Sequence, residues 1–202
     1  MKNKKWIFII AACVLINAGY AQRFKGGAHI GLLATQVDGD KLSGYKKPGL
    51  FLGVFANIPF PEKKIKLQLE IDYAQKGSKS PASDQIQRKI ALHQIEVPFT
   101  VGWNLWKELS LEAGLSFNVI ASAKEYVRRE LFLPDAGGSK FYLFELGAIG
   151  GVSYRFKEHF GLFFRINYSI TPIGKGVILD GASKLPQNMR NNAMLFGFSY
   201  QF

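Results

Sequence analysis

The sequence closes on Met194-Leu195-Phe196-Gly197-Phe198-Ser199-Tyr200-Gln201-Phe202, and the alternation in this stretch decides the fold. Met194, Phe196, Phe198, Tyr200 and Phe202 share one face, while Leu195, Gly197, Ser199 and Gln201 take the other. A period of two belongs to a β-strand, whose side chains point alternately to opposite sides. A bulky aromatic in the last position is expected of a closing barrel strand whose outer face meets lipid. In a water-soluble sheet the same ring would need a covering layer.

Upstream the alternation recurs over Phe24–Thr35, Gly49–Phe60, Ile65–Tyr73, Ile90–Asn104, Leu109–Ser122, Phe141–Phe156 and Phe160–Ile170. The third run is the clearest, with Ile65, Leu67, Leu69, Ile71 and Tyr73 opposed to Lys66, Gln68, Glu70 and Asp72. Short turns at Pro61-Glu62-Lys63-Lys64, Trp106-Lys107-Glu108 and Lys157-Glu158-His159 alternate with long polar connections over 36–47, 77–89, 124–140 and 171–191. About eight strands joined in this way predict an all-β chain, an antiparallel up-and-down barrel. Pro98, which cannot donate to a ladder, is expected to mark a bulge in the fourth strand.

The first 21 residues have the parts of a cleavable signal peptide: Lys2, Lys4 and Lys5, then an apolar run from Trp6 to Ile16, then Gly19 and Ala21 before Gln22. The run is too short to cross a bilayer as a helix. Ile10-Ala11-Ala12-Cys13 is similar to a lipoprotein cleavage box, but Val14-Leu15-Ile16 continue the apolar run where a lipoprotein would turn polar. Residues 22–202 are then one barrel domain, without the single cysteine and hence without disulfides.

Two barrels share this periodicity and differ in which face is inside. A lipocalin-like barrel buries its apolar face, whereas a membrane barrel turns that face to lipid. The polar face is rich in Gly, Ser and Asn, which suit a narrow lumen better than a solvated coat. The apolar face places Phe60, Tyr73, Trp103, Phe156, Phe160, Tyr168 and Phe202 at strand ends, as an interfacial girdle would. An eight-stranded transmembrane β-barrel follows. Lys66, Glu70, Glu96, Glu112, Glu145, Arg155 and Arg165 then face the lumen, where they are expected to pair across strands. Eight strands enclose a space that side chains can fill, so this network is expected to plug the barrel rather than line a channel.

Gly26-Gly27-Ala28-His29-Ile30-Gly31-Leu32 leads through Ser43-Gly44-Tyr45-Lys46-Lys47-Pro48-Gly49-Leu50 into Gly53-Val54-Phe55. Leu69-Glu70-Ile71-Asp72-Tyr73-Ala74-Gln75-Lys76-Gly77 and Ile95-Glu96-Val97-Pro98 follow. In this order the motifs resemble the PorT-type outer-membrane β-barrel family of Gram-negative bacteria. The resemblance implies a small outer-membrane barrel exported through its signal peptide. Gly197, Tyr200 and Phe202 match the closing-strand signal read by the barrel-assembly machinery, which makes that machinery an expected partner. The family's namesake is linked to a gliding-associated secretion system, so a surface or secretion partner is a further expectation.

No enzyme, cofactor or metal motif stands out. His29 is expected in the lumen beside a carboxylate, His159 in a turn, and His93 on the outward face of the fourth strand. No serine–acid arrangement accompanies His93, so a lipid-modifying activity is the weakest alternative. Asp38-Gly39-Asp40 has too few ligands for calcium and is expected to be a turn. The net charge of +11 and loop residues such as Lys46, Lys79, Arg128, Arg129 and Lys140 suit outer-membrane lipid and lipopolysaccharide, not nucleic acid. The sequence thus predicts a narrow, non-enzymatic barrel with binding or structural loops. A small channel or secretion component is the alternative.

Overall fold

The alternating runs become long antiparallel strands in a computed structural model that describes residues 24–40, 42, 44–81, 88–127, 130–132, 141–174, 178–179, 183–184 and 188–202. The expected signal peptide, Cys13, Arg128, Arg129 and Lys140 lie outside the described residues. The barrel staves are β1 (Lys25–Asp38), β2 (Lys47–Phe60), β3 (Ile65–Lys79), β4 (Arg88–Asn104) and β5 (Leu109–Val127). A short β6 (Glu130–Phe132) pairs only with the far end of β5. The wall continues through β7 (Phe144–Arg155) and β8 (Phe160–Ser169). A two-stranded flap follows, β9 (Ile178–Leu179) with β10 (Ser183–Lys184), and β11 (Arg190–Gln201) ends the chain. Each stave pairs with its sequence neighbour, and β11 pairs with β1 from Gly27↔Gln201 to Asp38↔Arg190, which closes the barrel and removes both sheet edges.

Polarity is inverted relative to a water-soluble fold. Leu32 is 65% exposed and Phe202 73%, whereas Glu145 and Glu70 are each 1% exposed. Phe24, Trp103, Trp106, Phe156, Tyr200 and Phe202 ring the end that carries the short turns, and Phe156, Phe160 and Phe198 contact one another there. Such a belt suits the level where lipid tails meet headgroups.

Three features depart from the sequence expectation. Pro98 is not a bulge: it faces Ser116 in unbroken register with β5, and on the β3 side the register is the same before and after it. The register shift lies instead at His93/Gln94, opposite Ser122 and Ile120, so Ala121 is the extra residue. A bulge reverses inward and outward beyond it, which buries Glu125 and exposes Lys124. Second, β3 and β5 run several residues into segments expected as loop, because polar side chains such as Lys76 and Ser78 point inward rather than into solvent. Gly77 sustains β3 there with φ +132, and a Cβ on it would lie 2.1 Å from the Ile90 carbonyl oxygen.

Third, the lumen is not uniformly polar. At the long-loop end Val37, Ile90, Leu92, Ile120, Phe141, Ile173 and Met189 form an apolar cap. The connections that supply Phe141, Ile173 and Met189 are pinned together by Tyr142 N–H to Ile173 O (2.9 Å) and Ile173 N–H to Met189 O (2.8 Å). Lower down, Phe51 and Phe163 face inward with Leu33, Ala74, Ala193 and Leu195. Gly197 makes this possible, since a Cβ there would stand 2.3 Å from the Phe163 ring.

Candidate functional site: the luminal charge network

The lumen has three levels. At the short-turn end a cavity of about 110 Å³ opens outward, lined by Lys25, Lys107, Arg155 and Gln201 and reaching inward to His29 and Arg165. Above it lies the charged layer, and above that the apolar cap.

Arg165 organises the charged layer. It stands on β8, on the far side of the barrel from β3, and its guanidinium crosses the lumen to two carboxylates. Nη1 and Nη2 donate to Glu70 Oε2 and Oε1 at 2.7 and 2.9 Å, while Nε donates to Glu112 Oε2 at 3.0 Å. The planar fork suits a bidentate grip on Glu70 with a third N–H left for Glu112. Lys66 Nζ holds the other oxygen of Glu112 at 2.8 Å, and Gln68 donates to Glu70 at 2.7 Å. Next to Glu70, His29 Nε2 lies 2.7 Å from Asp72 Oδ1 and 3.8 Å from Glu70 Oε2. The Phe51, Phe55 and Phe163 rings surround the imidazole at 4.9 to 5.6 Å between centroids.

Two further carboxylates sit in the same layer. Lys76 Nζ pairs with Glu96 at 2.5 Å, and Asn167 donates to the other Glu96 oxygen at 3.3 Å. Glu145 is held by neutral donors: Gln94 at 2.6 Å, Asn191 at 2.8 Å and the Ser169 hydroxyl. The layer therefore holds five carboxylates (Glu70, Asp72, Glu96, Glu112, Glu145) against three side-chain cations (Lys66, Lys76, Arg165).

Of the luminal residues expected from sequence, Lys66, Glu70, Glu112 and Arg165 come together in one cluster. Glu96 takes Lys76 as its cation, and Glu145 has no ion pair recorded among the described residues. Arg155 does not join the layer: it is exposed at the mouth, 3.4 Å from Gln201 Oε1. It sits at the short-turn end of β7, so its inward parity points it into the open cavity. Sequence reasoning missed Lys76, Gln94, Asn167 and Asn191 as members. Continued alternation from Asp72 through Ala74 would have found Lys76.

The other candidates are accounted for locally. His93 faces outward and its Nδ1 lies 2.6 Å from the Tyr73 hydroxyl, which also accepts from Gln75 at 3.0 Å. His159 Nδ1 lies 2.8 Å from the Gln201 carbonyl. Asp40 closes a turn by accepting from Leu42 N–H at 2.7 Å and from the Ser78 hydroxyl. Gly197 faces the lumen, whereas Tyr200 and Phe202 stand on the outer belt, with Phe202 N–H bonded to Gly26 O at 3.0 Å.

Residues 19–174 match the family model described as outer membrane protein beta-barrel domain, a match that does not single out the PorT-type proteins. Among solved structures, the chain is similar to Ail, the attachment invasion locus protein of Yersinia pestis, in complex with the heparin analogue sucrose octasulfate. The identity is 14%, the TM-score 0.53, and the match covers 89% of this chain and 99% of that one. A second Ail structure gives 15% identity and a TM-score of 0.51, covering 88% and 98%. No curated protein matches in sequence.

Proposed function

Since the chain belongs to the outer membrane protein beta-barrel domain family, we propose that it is a narrow, non-enzymatic barrel whose lumen is sealed by its own side chains and whose surface connections do its work. The outer membrane is its location. In barrels of this kind the short turns face the periplasm, so the open cavity is periplasmic and the apolar cap lies on the cell-surface side. The observation that carries the sealed-lumen reading is Arg165 crossing the lumen to Glu70 and Glu112 beneath an apolar cap. An ion would have to break those charge-assisted bonds and then pass an apolar layer, which presents it no compensating ligands. In planar bilayers the purified barrel is expected to give no stable conductance steps. Steps that disappear in Glu96→Gln or Arg165→Met would overturn the sealed lumen in favour of a channel.

Lipopolysaccharide is the proposed surface partner. Lys79 and Lys89 are exposed and directly opposite one another on β3 and β4, and Lys124 is exposed on the adjoining β5. Like charges facing across a ladder are unfavourable by themselves, and anionic headgroups at this level offset the repulsion. Replacing both Lys79 and Lys89 by Gln removes about 2 kcal/mol of attraction at ~1 kcal/mol per lysine. Lipopolysaccharide retained per barrel after detergent extraction should fall accordingly, and equal retention would count against this partner.

A further inference from the structure

We propose that His29, Glu70 and Asp72 form a binding site for one divalent transition-metal ion of the zinc class, reached from the periplasmic mouth. Each residue offers one ligand atom, and the three atoms lie within 4.8 Å of one another on fully buried side chains. One imidazole nitrogen and two carboxylate oxygens, leaving one position for water, is a ligand set that zinc accepts. Calcium and magnesium need more oxygens than this cluster supplies.

Four independent features support the assignment. Asp72 Oδ2 is buried without a hydrogen-bond partner, so one carboxylate oxygen has unused acceptor capacity. Glu70 is oriented by Arg165 and Gln68, as ligating carboxylates are usually fixed by outer hydrogen bonds. Space is kept open by Gly53, where a Cβ would stand 2.0 Å from Asp72 Oδ1 and 2.8 Å from His29 Nε2. Finally, the charged layer has two carboxylates more than it has side-chain cations. Inside a membrane such an excess is costly. A single divalent ion bound here offsets both charges. The entry path from the cavity passes Lys25, Lys107 and Arg155, whose positive charges oppose a cation's approach.

The test is metal uptake by the full barrel, refolded in detergent, stripped with chelator and shown to be folded by its heat-modifiable migration. Titration with Zn²⁺ is expected to give one equivalent per barrel, and Co²⁺ to give visible absorption of a low-symmetry, four-coordinate ion. His29→Gln and the isosteric Asp72→Asn should each weaken uptake on the order of 100-fold or more, while His93→Gln and His159→Gln leave it unchanged. Folded wild-type barrel that takes up no Zn²⁺ overturns the proposal, as does uptake that survives both ligand substitutions or is matched by Ca²⁺. If either variant fails to fold, the wild-type stoichiometry and Co²⁺ spectrum decide alone.

Discussion

Arg165→Met is expected to lower the stability of the folded barrel by about 3–5 kcal/mol, the cost of leaving buried carboxylates without their cation. Methionine keeps the apolar stem and removes the charge, so Glu70 loses both of its guanidinium bonds and Glu112 keeps Lys66 as its cation. The arginine also sets its guanidinium over the Phe163 ring at 4.9 Å, a contact the shorter methionine gives up. Urea unfolding of the barrel in detergent micelles measures the loss as a shift of the midpoint at unchanged slope. Combining Arg165→Met with Glu70→Gln and Glu112→Gln should recover a large part of it, because the penalty arises from uncompensated charge rather than from lost volume. If Arg165→Met alone unfolds at the wild-type midpoint, the charged layer contributes nothing to holding the barrel closed.

The second large effect belongs to the opposite face. Leu115 is the central residue of the outward series Leu111, Ala113, Leu115, Phe117 and Val119 on β5, is 52% exposed, and lies between Phe99 and Ala148 in register. Leu115→Arg is expected to cost about 2–4 kcal/mol in lipid vesicles, the penalty for a cation at the bilayer midplane. Leu109→Arg, on the same outward face at the short-turn end of the strand, should cost far less, because its head reaches water. A water-soluble barrel would show the reverse, tolerating arginine at its exposed Leu115.

The staves and their faces were legible because a period of two repeats in every run, and parity assigns side chains to lipid or lumen except beyond the bulge at Ala121, which reverses it. Parity alone does not give height along the barrel axis. Arg155 and Arg165 share inward parity on neighbouring strands, yet Arg155 pairs with Gly161 beside the short turn and stands in the open mouth, while Arg165, four residues further along β8 and opposite Gly151, crosses the charged layer. The apolar cap escaped notice for a related reason. Val37 and Ile120 follow polar inward positions on their strands, while Phe141, Ile173 and Met189 come from connections that have no period to read. Hydrophobicity by itself could not say that Phe51 and Phe163 turn inward; parity could, and Gly197 makes the room. The His29–Glu70–Asp72 cluster escaped motif scanning because its histidine and its nearest carboxylate partner are 43 residues apart and meet only when β1, β2 and β3 pair.

The reach of Arg165 back to Glu70, across 95 residues of chain, has a consequence for biogenesis. A nascent chain that has delivered only its first five staves carries Glu70 without the Arg165 fork that grips it, while Glu112 and Glu96 have only Lys66 and Lys76 as cations. Such a fragment has little reason to settle in a bilayer, and its gain arrives in one late step, when β8 swings in and β11 zips to β1. Insertion is then expected to be all-or-none, with chains cut short before the last stave left open to periplasmic proteolysis.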